Sequence, residues 1–260
     1  MDRLPILFVS HGSPSLVLED CPARDFLRGL GGALGTPRAI VAVSAHWATR
    51  EPAVTGAAHP ETIHDFYGFP DALYRLRYAA PGAPEVAARV AKLMNAAGLE
   101  CAIDPKRGLD HGAWSPLLLI YPQAQIPVIQ LALQPHRGAA HHFALGAALA
   151  PIREDGVLIF ASGGATHNLG AIRGPGGAAP KWVSGFADWL TAAVGEGRSA
   201  DLVNYRSIAP HAAENHPSEG HFLPLIVAAG AAGEDARGRC IHTSYTYGVL
   251  SMASYAFGEA

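Results

Sequence analysis

Charged residues are scarce in this 260-residue chain. They make up 16% of it, and 19 Lys+Arg stand against 22 Asp+Glu, which gives a formal net charge of -3. No basic stripe is present, so the chain lacks the electrostatic attraction that supplies most nucleic-acid affinity. We therefore expect no nucleic acid among its partners. Hydrophobic residues make up 49% of the sequence, which excludes an intrinsically disordered protein.

Cysteine and long apolar runs are also rare. Cys21, Cys101 and Cys240 are widely spaced and form no CxxC pair, which argues against a redox couple or a cysteine-based zinc site. The apolar run at residues 4–9 is too short for a signal peptide. The longest apolar segment, residues 222–233, falls short of the roughly 20 residues that cross a bilayer. We therefore expect a cytoplasmic protein without a membrane partner.

Several catalytic motifs are missing as well. The sequence has no G-x-S-x-G, which argues against the nucleophile of an α/β-hydrolase. It has no P-loop, and no G-x-G-x-x-G follows its first apolar run, which argues against nucleotide or nicotinamide chemistry. Histidine, by contrast, is abundant, with 13 residues. The chemistry of the chain is therefore expected to depend on imidazole.

The apolar pattern predicts an α/β fold. Continuous apolar runs are typical of strands that are buried on both faces, and they occur at residues 5–9, 39–43, 126–133 and 156–161. Helical spacing is found at residues 84–97, 141–150, 182–194 and 221–232. Residues 174–179 predict a flexible loop rather than a domain boundary. We expect residues 1–260 to form a single-domain layered sandwich, with a mostly parallel or mixed sheet and helices on both faces.

Histidines follow three of the four predicted strands, namely His11, His46 and His167. Ligands of open α/β sheets bind beyond the carboxyl ends of the strands, so these side chains are expected to meet at one rim. His221 is expected in the first turn of a helix with Ser218 as N-cap, where the helix dipole favours a neutral imidazole that can bind a metal. Taken singly, each of the three strand-end histidines is more often structural, and for His221 an exposed histidine at a helix start fits the residues equally well.

Two further segments carry candidate residues with open alternatives. Residues 63–70 include His64 and Tyr67, which could line a pocket for a planar ring or could belong to an aromatic cluster beneath a loop. Asp110 precedes His111 and could orient an imidazole, although such turns are common. Neutral imidazoles suit Zn, Fe, Cu or Ni, so the residues indicate a class of metal without naming it.

Taken together, these motifs resemble one family along nearly the whole chain. They are HGSP at 11–14, SAHW at 44–47, IHDFYGFP at 63–70, YAAPG at 78–82, DHGAW at 110–114, THNL at 166–169, HFLPL at 221–225 and LSMASYAF at 250–257. The sequence is similar to the class III (LigB-type) extradiol ring-cleavage dioxygenases, specifically the 4,5-DOPA dioxygenase extradiol subgroup. Each motif is weak alone, but so many in the right order form a specific match.

The resemblance implies one Fe(II) or Zn(II) ion per chain, a DOPA-like catechol and O₂ as the small-molecule partners, and insertion of both oxygen atoms. It implies the following roles: His11, His46 and His221 as metal ligands; His167 as acid/base residue and possible fourth ligand; His111 as a second catalytic histidine; and His64, Tyr67 and Ser13 as substrate contacts. The oligomeric state is not implied.

One departure from the family pattern concerns the last metal ligand. Many relatives have an acidic residue directly before it, whereas here Gly220 occupies that position and Glu219 lies one residue earlier. Two other functions fit the same histidines. One is a zinc-dependent hydrolase of a small amide or ester, in which metal-bound water is the nucleophile. The other is a non-catalytic, chelatase-like metal-binding protein.

Overall fold

The structure, a computed structural model, describes residues 4–174 and 178–258. Of the predicted loop at 174–179, residues 175–177 lie outside this description, and the remainder has no regular secondary structure. The strands of the described part, in chain order, are β1 Ile6–Ser10, β2 Ala39–Ser44, β3 Ala53–Thr55, β4 Ala102–Asp104, β5 Val128–Gln130, β6 Val157–Gly163, β7 Gly238–His242, β8 Tyr245–Thr246, β9 Leu250–Ser251 and β10 Ser254–Phe257.

The α-helices of the same residues lie mainly between these strands. They are α1 Pro22–Leu34, α2 Asp71–Tyr74, α3 Pro84–Ala96, α4 His111–Ile120, α5 Gly138–Leu149, α6 Lys181–Glu196, α7 Ser199–Val203, α8 Tyr205–Ile208, α9 Ala212–Asn215 and α10 Leu223–Ala232. Short 3₁₀ turns occur at Pro14–Val17, Pro135–Arg137, Ala150–Asp155 and Leu169–Ala171. No helix of the described part is long and apolar enough to cross a membrane.

The central sheet is mixed. Its six strands lie in the order β5-β2-β6-β1-β10-β7. The pairs β5–β2, β2–β6 and β6–β1 are parallel, whereas β10 runs antiparallel to both β1 and β7. Two small two-stranded sheets, β3–β4 and β8–β9, lie outside it.

Helices cover both faces of this sheet. Along β1, Ile6 and Phe8 belong to one hydrophobic core, while Leu7 and Val9 belong to the other. The first core contains apolar side chains of α3, α5, α6 and α10, and the second contains those of α1 and α4. Both faces of the strand are buried, which is why its sequence is apolar throughout rather than alternating. The predicted fold class, a single-domain α/β sandwich with a mixed sheet, is confirmed.

Two predicted elements have different bounds in the structure. The strand expected at 126–133 is regular only over β5, because the Gln130 backbone N–H donates to the Thr55 hydroxyl, and Leu131 and Leu133 make only isolated bridges. The helix expected from His221 begins at Leu223, with Phe222 rather than Ser218 at the N-cap position. Pro224 is in its first turn, where the missing N–H costs no hydrogen bond.

The parallel strands end at the same edge of the sheet. Ser10 at the end of β1 is in register with Gly163 of β6, and Ser44 at the end of β2 is in register with Ser162. The segments that follow these strands therefore leave the sheet side by side. This edge carries the histidines described next.

Candidate active site

Three imidazoles converge at the strand ends. His11 follows β1, His46 follows β2, and His221 lies just before α10. The Nε2 atom of His46 is 3.1 Å from Nε2 of His11 and 3.2 Å from Nε2 of His221. Within the described part of the chain, these three residues form a group whose ligand atoms all lie within 4.8 Å of one another.

The serine beneath His11 fixes its tautomer. The Ser162 hydroxyl donates its proton to the Gly112 carbonyl, so its oxygen can only accept from His11. His11 Nδ1, 2.9 Å away, must therefore carry the proton. The Nε2 of His11 is left unprotonated, with its lone pair directed at the other two histidines.

A carboxylate orients the next two histidines. Asp65 Oδ2 lies 3.4 Å from Nδ1 of His46, and Oδ1 lies 3.0 Å from Nδ1 of His111 and accepts the His111 backbone N–H at 2.9 Å. His46, Asp65 and His111 form a second group of potential ligand atoms. A carboxylate behind a metal-binding histidine fixes its orientation and makes it a stronger ligand.

Burial keeps the imidazoles of His11, His46 and His221 uncharged. Burial, followed by repulsion from the neighbouring histidines, lowers the pKa of His11 and of His221 well below the ordinary value. Burial and then His111 lower the pKa of His46 to about 3. Burial alone would raise the pKa of Asp65, but its contacts with His111, and then His46, lower it to about 2. His11, His46 and His221 are therefore neutral, and the Asp65 carboxylate beside His46 is ionised.

This donor set fits a metal ion. Nitrogen lone pairs about 3 Å apart repel one another unless a proton or a cation lies among them, and burial disfavours the proton. Imidazole nitrogen is a preferred ligand of Zn and Fe ions. His11, His46 and His221 are therefore the residues that would hold such an ion.

His167 lies beside the cluster rather than in it. Its ring stacks on that of His221 with a centroid distance of 3.4 Å and an angle of 6° between planes. Its nitrogens belong to neither group of ligand atoms in the described chain. Burial lowers the pKa of His167 to about 4, so its imidazole is neutral at physiological pH. This placement favours a proton-accepting role over that of a fourth ligand.

A buried polar network supports the cluster from below. Ser44 donates to Asp110 Oδ1 at 2.6 Å and accepts the His46 backbone N–H at 3.1 Å. Asp110 also accepts from the Gln130 amide at 2.8 Å and caps α4 through the Ala113 N–H at 3.3 Å. The first residue of that helix is His111, so the histidine at a helix start is His111 and not His221. The cap thereby fixes the position of His111.

A cavity of about 410 Å³ opens onto the histidines. His46, His111, His167 and His221 line one part of it. Apolar side chains form much of the rest, namely Phe66, Phe69, Leu169, Ile172 and Leu250. Hydroxyl-bearing residues also line it, namely Ser13, Ser15 and Tyr247. A cavity of this size and lining can hold a small aromatic ligand.

The structure brings only one of the three expected substrate contacts to this cavity. Ser13 lines it, whereas His64 and Tyr67 do not. Tyr67 is 92% exposed, whereas its neighbour Phe66 lines the cavity. His64 lies 3.1 Å from the Leu76 carbonyl and packs beside Phe66. The alternative of an aromatic cluster beneath a loop therefore describes His64.

The carboxylate at the site is not the one considered from the sequence. Glu219 lies 3.6 Å from Arg206 and belongs to neither group of potential ligand atoms in the described chain, whereas Asp65 lies beside His46 and His111. Asp65 is the acidic residue of the IHDFYGFP segment at 63–70, directly after His64. That position beside a histidine was the only signal of its role in the sequence.

Proteins that are similar to this chain identify the family to which it belongs. The family of the catalytic LigB subunit of aromatic ring-opening dioxygenases matches residues 5–258. A 4,5-DOPA dioxygenase extradiol from Beta vulgaris is 44% identical over 255 residues, which cover 96% of this chain and 95% of that protein. A 4,5-DOPA dioxygenase extradiol from Escherichia coli K12 is 41% identical over 234 residues, which cover 88% and 85% of the two chains.

A solved structure agrees with the sequence relatives. The crystal structure of an uncharacterized protein from Escherichia coli K12 superposes with a TM-score of 0.82 and 33% identity, covering 98% of this chain and all of the other. The relatives do not favour the hydrolase or the chelatase-like alternative. With the family match over nearly every residue, the chain belongs to the LigB family of aromatic ring-opening dioxygenases.

Proposed function

We propose that this enzyme cleaves the aromatic ring of a DOPA-like catechol outside its two hydroxyl groups, using one Fe(II) or Zn(II) ion held by His11, His46 and His221. The observation that carries the proposal is the convergence of the His11, His46 and His221 imidazole nitrogens, together with the cavity of mainly apolar lining that His46 and His221 face. The printed names of the relatives support the same substrate class. O₂ is the second substrate.

The chain would first position the ring. Phe66 and Leu250 lie on the walls of the cavity and offer apolar surface to a planar molecule. When bound, the metal supplies Lewis acidity toward the catechol hydroxyls and a binding position for O₂. The three residues that would hold the ion come from separate segments of the chain, and Ser13 is the proposed polar contact of the substrate.

The proton chemistry belongs to His167. Its imidazole is neutral and lines the cavity, so it can accept the proton that a catechol hydroxyl loses and return it later in the reaction. We propose that His111 contacts the substrate or O₂, because its ring lines the cavity and Asp65 holds its backbone N–H in place. His64 and Tyr67 have no contact with the cavity that would support their expected roles.

The test is anaerobic reconstitution with Fe(II), followed by admission of air in the presence of a panel of catechols. Consumption of O₂ together with a yellow ring-opened product is the expected result with a DOPA-like member. Parallel samples with Zn(II) identify the ion that supports turnover. Absence of colour and of O₂ consumption with every catechol and either ion would overturn the proposal.

Two broader properties are also proposed. Residues 1–260 are taken as one catalytic domain, which is supported by the family match over 5–258. A cytoplasmic location is supported by the three cysteines, Cys21, Cys101 and Cys240, which are unpaired.

A further inference from the structure

A chain of hydroxyl groups at the cavity leads to one carboxylate. Ser15 and Tyr247 both donate hydrogen bonds to Oε1 of Glu19. The Ser13 hydroxyl lies 2.8 Å from that of Ser15, whose proton is already given to Glu19. Ser13 must therefore be the donor of that pair. We call Ser13, Ser15, Tyr247 and Glu19 the acceptor wall. Each hydroxyl proton of this group is donated to another member of the group.

The direction of these hydrogen bonds determines what the wall offers to a ligand. Ser13, Ser15 and Tyr247 line the cavity, and with their protons committed they present oxygen lone pairs to it. Behind them lies the negative carboxylate of Glu19. A surface made of acceptors over a carboxylate attracts hydrogen-bond donors, and a cationic donor above all.

No basic side chain neutralises this carboxylate within the described residues. The nearby Arg24 donates to the Glu19 backbone carbonyl at 3.1 Å and pairs with Asp20 at 3.4 Å, but no contact joins it to the Glu19 carboxylate. The charge of Glu19 is therefore available to a ligand. Since the side chain is half-buried, water screens it less than it screens a surface carboxylate.

Backbone geometry holds the phenol of the wall in place. Tyr247 adopts a φ of 51°, in the left-handed region that side chains rarely occupy, and Gly248 follows with a φ of 73°. The Tyr247 carbonyl accepts the Arg173 N–H at 3.0 Å. Strained conformations of this kind persist where the surroundings require them and cluster at ligand sites.

We propose that the acceptor wall selects catechols whose ring substituent carries a protonated amine, with Glu19 as the residue that determines this preference. The inference rests on the proposed function, and it assigns the recognition of the substituent to residues that take no part in holding the metal. Ser15 is only four positions after His11 in the chain, so the wall and the histidines belong to one cavity. A ring bound at the histidines would therefore share one cavity with the wall, where its substituent can meet the acceptors.

A matched pair of substrates tests the preference. Dopamine and 4-propylcatechol have nearly the same shape, but the first ends in an ammonium group and the second in a methyl group. We expect kcat/KM of the Fe(II)-loaded enzyme to be about tenfold higher for dopamine, equivalent to ~1.4 kcal/mol. Equal values for the two substrates would overturn the inference while leaving ring cleavage established.

A matched pair of variants tests whether Glu19 causes the preference for dopamine. Glu19→Gln removes the charge and keeps one oxygen that can accept from Ser15 and Tyr247, while an NH₂ group replaces the other oxygen. It should raise KM for dopamine about tenfold, leave kcat within about twofold, and leave 4-propylcatechol unaffected. Asp20→Asn is the control, since it removes the neighbouring carboxylate, whose side chain is 98% exposed. A loss of activity toward both substrates in Glu19→Gln would assign Glu19 a structural role and contradict the inference.

Binding to the metal-free protein gives a readout that does not need turnover. Calorimetric titration should show dopamine binding several-fold more tightly than 4-propylcatechol, with the difference abolished in Glu19→Gln and retained in Asp20→Asn. If no catechol is turned over but this difference is found, the proposed reaction fails and the inference stands. If the two ligands bind equally, the inference fails whatever the activity.

Discussion

At the scale of single residues, His167 differs from the other site histidines in what it contacts. It stacks on His221 but shares no ligand group with it. We predict that His167→Ala retains the metal and lowers kcat by about 10² to 10⁴, the usual contribution of an acid/base residue. Metal content by mass spectrometry and O₂ consumption are the measurements.

The control for this prediction is His136→Ala, which removes an exposed histidine from a 3₁₀ turn and should change neither quantity. Unchanged turnover in His167→Ala would refute the proton-transfer role. Loss of the metal from that variant would instead make His167 a ligand.

A second residue-scale prediction concerns a histidine that takes no part in the site. His142 is fully buried; its Nδ1–H donates to the Gly138 carbonyl at 2.7 Å, and its Nε2 accepts the Gln134 N–H at 3.0 Å. Both nitrogens are thus used by the neutral form, and burial lowers the pKa of His142 to about 4 from an ordinary 6.5.

The sign of the resulting pH effect follows from linkage. As the pH falls below 6.5, the unfolded chain protonates His142 before the folded protein does, so the stabilisation is complete above that pH and is lost on the way to pH 4. We predict that this residue alone removes on the order of 2 kcal/mol of unfolding free energy between pH 8 and pH 5. Urea unfolding of the wild type and of His142→Gln measures it, and the variant should be less sensitive to pH. Equal slopes in the two proteins would contradict the prediction.

At the scale of elements, the start of α4 packs directly against His11 and His46, two of the proposed metal ligands. A Cβ atom on Gly112 would lie 2.3 Å from the Ser44 hydroxyl and 2.9 Å from Cδ2 of His46. We predict that Gly112→Ala displaces His46, costs about 1–3 kcal/mol of stability and weakens Zn(II) binding at least about tenfold. Competition against a fluorescent chelator measures the binding.

Another helical glycine provides the control. Nothing lies within 4 Å of a Cβ placed on Gly32 of α1, so Gly32→Ala should stabilise the protein by about 0.5–1 kcal/mol and leave metal binding unchanged. If Gly112→Ala binds Zn(II) as tightly as Gly32→Ala does, the packing of α4 does not position His46.

The elements also differ in how far the sequence predicts them. The strands β1, β2 and β6 and the helices α3 and α6 have clear apolar patterns and were found within a few residues of the expected bounds. Helix α4 has no polar face to reveal its period, because it is buried nearly all round. Helix α1 contains glycines that lower helix propensity, and one of them, Gly31, permits close contact with the Ile120 carbonyl of α4. The formation of both helices therefore depends on tertiary packing, which the sequence pattern does not show.

At the scale of the whole molecule, the metal would join segments that are remote in the chain, at residues 11, 46 and 221. A ligand that binds only the folded state stabilises it by about 2.7 kcal/mol at a hundredfold excess over Kd. We predict that Zn(II) at that excess raises Tm by about 5–10 °C, given the size of the chain. Differential scanning fluorimetry with and without Zn(II) measures this shift.

Two variants test whether the shift in Tm comes from Zn(II) bound at His11, His46 and His221 or from Zn(II) bound at other histidines. His46→Ala removes the imidazole that lies between the other two and should abolish the shift in Tm, whereas His136→Ala should retain it. A shift of the same size in His46→Ala would show that Zn(II) stabilises the protein from some other position.

The sequence by itself determined the fold class, the family, and the histidines that follow the strands, because buried strands and the rim of a parallel sheet leave local patterns in the chain. The tertiary structure decided which groups share that rim. Only packing could place Asp65 between His46 and His111, turn Tyr67 outward, and bring Tyr247 to Glu19 from the opposite end of the sequence. Such contacts depend on how distant segments leave the sheet, and no local pattern records that.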